Sequence, residues 1–594
     1  MRTVLAGLTS ICVWCVLAAP MVLGDEHYDV VIEHNVEAKM RDGVTLRADV
    51  YRPKAEGKFP VILQRTPYDK REIVQPRMYG VDMGLALGAR GYVYILQDCR
   101  GRFASDGEWY PQKHESEDGF DTVEWAAALS YANGKVGMVG GSYLGATQML
   151  TAIAAPPHLV GILPMFTASN YHDGWTYQGG AFEQWFIQSW TTTGLAPNTL
   201  IRRIAGDSNP FPWANILPLT AYPLLSLGSI EGVADYYREW LAHPRFDEYW
   251  RRLSIDDHDS QIMVPALHVG AWYDLFLGGT LQNYVGIKKN GGSEAARRGQ
   301  RLLVMTGGHA GFDRKIGEVD FGEQSTTVDL TDLELRWYDY LLKGIPNGVE
   351  KEKPVRIFVM GKNVWREEDD WPLARAKSVR YYLHSGGKAH TLSGDGSIST
   401  TVPGDEPADR YVYDPAEPVP TVGGALCCNP TEHMPPGPFD QRGVENRQDV
   451  LVFTTPAFEK DTEVTGPVSL ELYVSSTVVD TDFTAKLVDV WPNGFAQNLT
   501  DGILRARYRD SQEKPDFMSP GESYRLNVDL WAVSNVFLAG HKLRLEVSSS
   551  NFPRFDRNPN TGEDPALSSR MVKATNTIYH DRRRPSALVL PIVP

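Results

Sequence analysis

The chain has 594 residues, of which 42% are hydrophobic and 22% charged, and its formal net charge is -15. That length exceeds what one compact core fills, so two or three domains are expected. The acidic balance, with no clustered basic stretch, excludes nucleic acid as a partner, because neutralising phosphates takes a dense cationic face.

Residues 1–24 combine Arg2, an apolar run from Val4 to Ala19 and a small-residue end before Asp25 and Glu26. This reads as a signal peptide, so a secreted or periplasmic protein without a stable membrane anchor is expected. A retained anchor is the alternative, although the run is shorter than the roughly 20 residues a spanning helix needs. Of the 5 cysteines, Cys12 and Cys15 would leave with this segment. Cys99, Cys427 and Cys428 are too few for a disulfide scaffold. Adjacent Cys427 and Cys428 bridge only as a vicinal disulfide. With no histidine or second cysteine pair at ligand spacing, they read as buried thiols or a local turn, and no metal or other cofactor is expected.

Strand character follows in Tyr28–Val36 and Val44–Tyr51, then in the short apolar runs Phe59–Leu63, Tyr92–Leu96 and Val136–Val139. Such runs suit strands buried on both faces. A helical pattern over Glu115–Ala128 separates the last two, and strands resume at Val160–Met165, Val264–Val269 and Arg301–Met305. The alternation predicts an α/β domain with a mostly parallel sheet, in two parts, 25–169 and 257–352. Between them, 170–256 breaks the alternation and is dense in aromatics, among them Trp175, Phe182, Trp185, Phe186, Trp190 and Trp240. It is read as a helical cap over the strand ends, most of its aromatics packing against the body and a minority lining a pocket. From 353 to 594 the pattern changes to short alternating strands, starting with Val355–Val359 and including Lys542–Val547, where Leu543, Leu545 and Val547 are expected to face a core and Lys542, Arg544 and Glu546 water. This predicts a C-terminal β-sandwich, with Pro403–Pro438 as a long ordered connection.

The most specific motif is Gly140-Gly141-Ser142-Tyr143-Leu144-Gly145, set between an apolar strand and the small-residue helix that begins at Gly145. A turn that lifts a serine hydroxyl off a strand end forces strained backbone and close strand–helix approach, which residues without side chains permit. The spacing departs from G-x-S-x-G by one residue. Ser142 is the candidate nucleophile.

A serine needs a neutral imidazole to take its proton and a carboxylate to orient that imidazole. In such folds the chain order is serine, acid, histidine. Asp274 follows a strand through Gly270-Ala271-Trp272-Tyr273, and His309 follows the next strand through Thr306-Gly307-Gly308. His268 and His258 read as core and surface residues, His158 and His172 precede the acid, and Asp313 and Asp320 follow the histidine. The backbone N–H of Tyr143 is one candidate oxyanion donor. Tyr68, just past a strand end, is either the second or ordinary packing.

Together Arg65–Lys70, Gln97–Phe103, Gly140–Gly145, Trp272-Tyr273-Asp274, Asp482–Leu487 and Asn498–Gly502 resemble the CocE/NonD family of serine hydrolases, relatives of the X-prolyl dipeptidyl peptidases and α-amino-acid ester hydrolases. The resemblance spans essentially the whole mature chain. It implies an α/β hydrolase with a helical cap insertion and a C-terminal jelly-roll β-sandwich, and a Tyr68 hydroxyl in the oxyanion hole. His309 lacks the Gly-Pro-Trp-x-His setting usual in that family. Leu275 and Phe276 stand where amino-ester hydrolases carry acidic residues for a substrate's ammonium group, which argues for a neutral acyl group. The expected activity is hydrolysis of small ester or amide substrates, with X-Pro dipeptidyl peptidase and a non-catalytic carbohydrate-binding scaffold as alternatives. Homo-oligomerisation is left open.

Overall fold

The computed structural model describes residues 27–71, 81–195, 211–223, 225, 234–309, 313–428 and 434–594. The leader-like segment 1–24 lies outside them.

The first sheet contains Val30–Lys39 (β1), Thr45–Pro53 (β2), Phe59–Thr66 (β3), Val93–Asp98 (β4), Ala132–Gly141 (β5), Leu159–Met165 (β6), Ala266–Tyr273 (β7), Gln300–Gly308 (β8), Val355–Val359 (β9) and Val364–Glu368 (β10). Its order is β1-β2-β4-β3-β5-β6-β7-β8-β9-β10. All pairings from β4 to β9 are parallel, and the antiparallel ones lie at the two edges. Val61, Ile62, Leu63, Val93, Tyr94 and Ile95 are fully buried, which is why these strands read as unbroken apolar runs. Helices Val81–Ala89 (α1), Glu115–Ala127 (α2), Tyr143–Ile153 (α3), Leu277–Asn290 (α4) and Leu330–Lys343 (α5) flank the sheet.

The position of Val355–Val359 corrects the sequence reading. Alternation identifies a strand but not its sheet, and here β9 pairs with β8 of the α/β sheet instead of joining the sandwich. Its side chains still share a core cluster with sandwich residues such as Leu470 and Val528, so β9 joins the two layers.

α5 shows how these elements are fixed. The Asp329 side chain caps its first turn, Gly344 ends it at φ 70, and Leu335, Trp337, Tyr338 and Leu342 form its buried face. Glu334 lies on that same face with Oε1 unpartnered, and burial pushes its carboxyl up to about 8. An acid raised in the fold is neutral there while ionised in the unfolded chain, so its contribution to stability is lost as pH rises from the ordinary carboxylate range toward 8. Glu334→Gln is therefore expected to stabilise the protein by about 2–4 kcal/mol at pH 8 and by little at pH 4. Thermal unfolding of both proteins at the two pH values checks this.

Among the described residues the C-terminal sheet has 12 strands. Long antiparallel ladders, such as Thr462–Ser476 with Tyr524–Phe537 and Asp482–Val490 with Lys542–Ser548, fold over one apolar core. Leu543, Leu545 and Val547 face that core as expected, but Glu546 is also buried. The strand's other face is covered by the short helix Arg442–Glu445, where Glu445 accepts from Arg544 at 2.7 Å, and Lys486 Nζ lies 3.9 Å from Glu546 on the same face. The proline-rich connection is ordered in its described parts, and Gly424 and Gly437 exchange backbone hydrogen bonds of 2.7 and 2.9 Å.

Candidate active site

The serine turn stands between β5 and α3. Ser142 holds φ 59 and ψ −126, a left-handed conformation that costs a residue with a side chain about 1–3 kcal/mol. The surroundings enforce it. Gly140 has φ 139, and a Cβ there would lie 2.6 Å from Leu144 Cβ; one on Gly145 would lie 2.9 Å from Thr167 Cβ. Ser142 N–H donates to Met165 O at the end of β6 (2.9 Å), and Ser142 O accepts from Gly145 N–H (2.9 Å) and Ala146 N–H (3.0 Å). Tyr143, first residue of α3, has an N–H without an intrahelical partner, as every helix start does.

Asp274 and His309 follow β7 and β8, adjacent strands of the sheet. His309 Nδ1 lies 2.8 Å from Asp274 Oδ1, with the carboxylate fully buried and the imidazole 10% exposed. Because an ionised carboxylate only accepts, the proton sits on Nδ1 and the lone pair on Nε2. Phe166 and Phe276 hold the ring edge-on, with centroids 6.3 and 5.2 Å away.

Tyr68 is partly buried just beyond the end of β3, and its hydroxyl lies within hydrogen-bonding reach of Ser142. Trp190 Nε1–H donates to that hydroxyl at 2.8 Å. An indole only donates, so the phenol oxygen is committed as an acceptor and its own proton is left for the serine side. Burial pushes the phenol up to about 12, against the opposing effect of its hydrogen bonds with Trp190 and Ser142, so it stays a neutral donor at ordinary pH.

Arginines fix this loop from beneath. Arg65 is fully buried and donates to Glu115 Oε2 (2.6 Å) and Gln97 Oε1 (2.9 Å), while Glu115 Oε1 accepts from the Tyr143 hydroxyl at 2.9 Å. The ends of β3 and β4, the start of α2 and the serine turn thus share one buried network, and such networks become costly when one partner is removed. Arg102 donates to Pro67 O beside Tyr68 and to Leu195 O in the cap, both at 2.7 Å.

The cap roofs the site with rings. Trp175 stacks on Phe276 (4.2 Å, 14°), Phe186 stacks on Trp190 (5.4 Å, 16°), and Trp175 meets Trp190 edge-on at 5.4 Å. Most of the cap's buried apolar residues share one cluster with β3, β4 and β5, so cap and body share a core. Trp175, Phe186, Trp190 and, from beside the acid, Phe276 are buried and pack on one another, as expected of most of the cap's aromatics.

Residues 42–311 match the family model described as X-Pro dipeptidyl-peptidase (S15 family), and residues 347–589 match that of the X-Pro dipeptidyl-peptidase C-terminal non-catalytic domain. Cocaine esterase from Rhodococcus sp. is 38% identical, over 96% of this chain and 99% of that protein. The chain belongs to the CocE/NonD family of serine hydrolases. Among solved structures, this CocE/NonD hydrolase shares its fold with an aminopeptidase from a marine sediment Thaumarchaeota archaeon (TM-score 0.81, 23% identity, 99% of each chain). It likewise matches an α-amino acid ester hydrolase (TM-score 0.77, 24% identity, 98% of this chain and 100% of that one).

In this CocE/NonD hydrolase the rival histidines are all engaged elsewhere. His268 is buried in β7 against Gln300 Oε1 (2.8 Å), and burial pulls it down to about 4. His258 meets Ser254 O, His158 meets Glu124, and His172 stacks on Tyr177 in the cap. Asp320 pairs with Arg314. Sequence reasoning missed Arg65, Arg102, Glu115 and Trp190 as positioning groups. Two of them stood inside quoted motifs, but nothing in the sequence separates a buried arginine from an exposed one. Cys427 and Cys428 are bonded to each other and are not the buried thiols expected, and the fold brings His309, distant in sequence, beside them.

Tyr68→Phe is expected to lower kcat about 100- to 1,000-fold with little change in KM, the usual cost of one oxyanion donor. Trp190→Phe should cost about tenfold alone and almost nothing in the Tyr68→Phe background, since the indole acts through the phenol. Steady-state kinetics of the four proteins in that cycle decide it.

Proposed function

We propose that this serine hydrolase is a secreted or periplasmic esterase for small esters with a neutral, apolar acyl group, acting through Ser142, His309 and Asp274. His309 Nε2 takes the Ser142 proton as the hydroxyl oxygen attacks the ester carbonyl. Asp274 holds the Nδ1 tautomer and stabilises the imidazolium. The negative charge on the former carbonyl oxygen is met by the Tyr68 hydroxyl and the Tyr143 N–H. The imidazolium then protonates the leaving alcohol, and water, activated by the same nitrogen, releases the acyl group from Ser142.

The observation that carries this reading is the 2.8 Å pairing of His309 with Asp274 on the sheet edge that also holds the strained Ser142. Trp175, Phe186, Trp190 and Phe276 surround the site with apolar rings and favour an uncharged, apolar acyl group, because a charge placed against them would be desolvated without a partner. Leu275 and Phe276 are both buried beside the acid and offer an ammonium nothing to pair with. The Rhodococcus relative is named for esterase action on cocaine. The family models favour a second reading, cleavage of Xaa-Pro amides. Aryl-acyl esters, aliphatic esters and Xaa-Pro anilides assayed side by side separate the two. Aryl-acyl esters are expected to lead the anilides by at least about 100-fold in kcat/KM, roughly 3 kcal/mol of transition-state preference. Anilides cleaved as well as the esters would reverse the assignment.

A further inference from the structure

Cys427 and Cys428 have no part in ester hydrolysis, yet they are held against its catalytic base. Their sulfurs and a nitrogen of His309 all lie within 4.8 Å of one another. The pair is joined as a vicinal disulfide. It is anchored on both sides: Leu426 clusters with Trp185 of the cap and Met434, and Cys428 O accepts from Thr193 Oγ1 at 3.5 Å. Thr193 belongs to the same Trp190–Leu195 turn that supplies the Tyr68 partner.

We propose that, once reduced, Cys427 and Cys428 form with His309 a Cys2His site for a soft divalent cation, and that filling it switches the hydrolase off. The inference rests on the reading of His309 as the base. Two thiolates and an imidazole are the donor set that zinc and its softer congeners select. Around such an ion, with metal–donor distances of about 2.0–2.3 Å, donors stand about 3.5 Å apart, so once their bond is broken the two sulfurs part by roughly 1–2 Å while the imidazole closes on them by roughly 1 Å. The second sphere is already built. Asp274 accepts from His309 Nδ1, the carboxylate–histidine arrangement that strengthens a ligating imidazole through its other nitrogen. That other nitrogen is the one that must take the serine proton, so the ion and the reaction compete for one lone pair.

The oxidised pair offers no thiolate and leaves the base free. A small dithiol opens the site in two steps. One of its thiolates attacks a cysteine sulfur, breaking the Cys427–Cys428 bond and forming a mixed disulfide; its second thiolate then displaces the remaining cysteine. Two electrons pass from the dithiol to the protein, the reagent leaves as its cyclic disulfide, and both cysteines become thiols. Cation binding releases the two thiol protons to solvent.

The test uses the purified hydrolase, untreated or reduced with a small dithiol that is then removed by anaerobic gel filtration, and titrates each form with Cd2+. Ester hydrolysis and the ultraviolet thiolate-to-cadmium absorption band are followed together. The reduced enzyme is expected to bind one Cd2+ per chain with growth of that band and to lose activity about tenfold or more, with recovery on chelation. The untreated enzyme and a Cys427→Ser/Cys428→Ser double variant should show neither effect, each judged against its own metal-free rate. His309→Ala, reduced, should keep the band but need about tenfold more Cd2+ to saturate it. Equal cadmium inhibition of wild type and the double variant, a full band with no loss of rate, or unchanged cadmium affinity in His309→Ala would each overturn the proposal. The band is read without substrate, so a protein that forms the site but hydrolyses no ester would refute the esterase reading and leave the metal site standing.

Discussion

Ser142→Ala is expected to lower kcat on the best ester by about a million-fold, leaving only what binding and the oxyanion donors contribute without a nucleophile. KM should barely move, because the hydroxyl makes its decisive bond only as the carbonyl is attacked. The fold should tolerate the change: alanine inherits the left-handed backbone at φ 59, and the hydrogen bonds holding the turn run through the Ser142 N–H and C=O, not its side chain. Ser142→Gly makes a useful companion. Glycine relieves the backbone strain, so it should be as inactive as alanine yet more stable by about 1 kcal/mol. Single-turnover assays with a chromogenic ester, alongside thermal unfolding, measure both effects. An alanine variant within a hundredfold of wild type would mean that another residue carries the acyl group.

Asp274→Asn is expected to cost about ten-thousand-fold in kcat while leaving the site's shape intact. The amide matches the carboxylate in size, and position 274 is fully buried, so neither water nor a neighbouring chain easily takes over. The loss comes from the tautomer. An asparagine NH2 turned toward Nδ1 makes that nitrogen the acceptor, moves the ring proton to Nε2 and leaves Ser142 facing a donor instead of a base. The Ser142→Ala/Asp274→Asn double variant should be no slower than Ser142→Ala alone, because residues that act as one unit do not add. If Asp274→Asn falls less than tenfold, the imidazole must draw its orientation chiefly from the Phe166 and Phe276 rings.

Much of this architecture was legible in the chain. The unbroken apolar runs marked the central strands because parallel strands are covered on both faces, and the glycines at 140 and 145 marked the serine turn because any side chain there collides with Leu144 or Thr167. Asp274 and His309 followed from their places after consecutive strands. What stayed hidden depends on contacts between distant segments. Val355–Val359 alternates like a sandwich strand, and only its ladder with β8 reveals which sheet owns it. Glu546 sits on the polar side of its strand, where only the covering segment around Glu445 determines that it is buried. Trp190 looked like one packing aromatic among many until its indole proved to be aimed at the Tyr68 oxygen. Cys427 and Cys428 lie more than a hundred residues from His309, a separation no ligand-spacing rule spans.

The Trp190–Tyr68 bond also sets a limit on how this enzyme can diversify. Where a roof only selects what enters, it can be exchanged for another and the engine below keeps running. Here one girder of the roof is bolted to the engine: the group that aims the phenol, and the Leu195 carbonyl that steadies the arginine behind it, both belong to the inserted segment. Grafting a foreign insertion onto this body would therefore stall turnover before it altered preference, and new specificities are more accessible through single ring substitutions than through wholesale replacement.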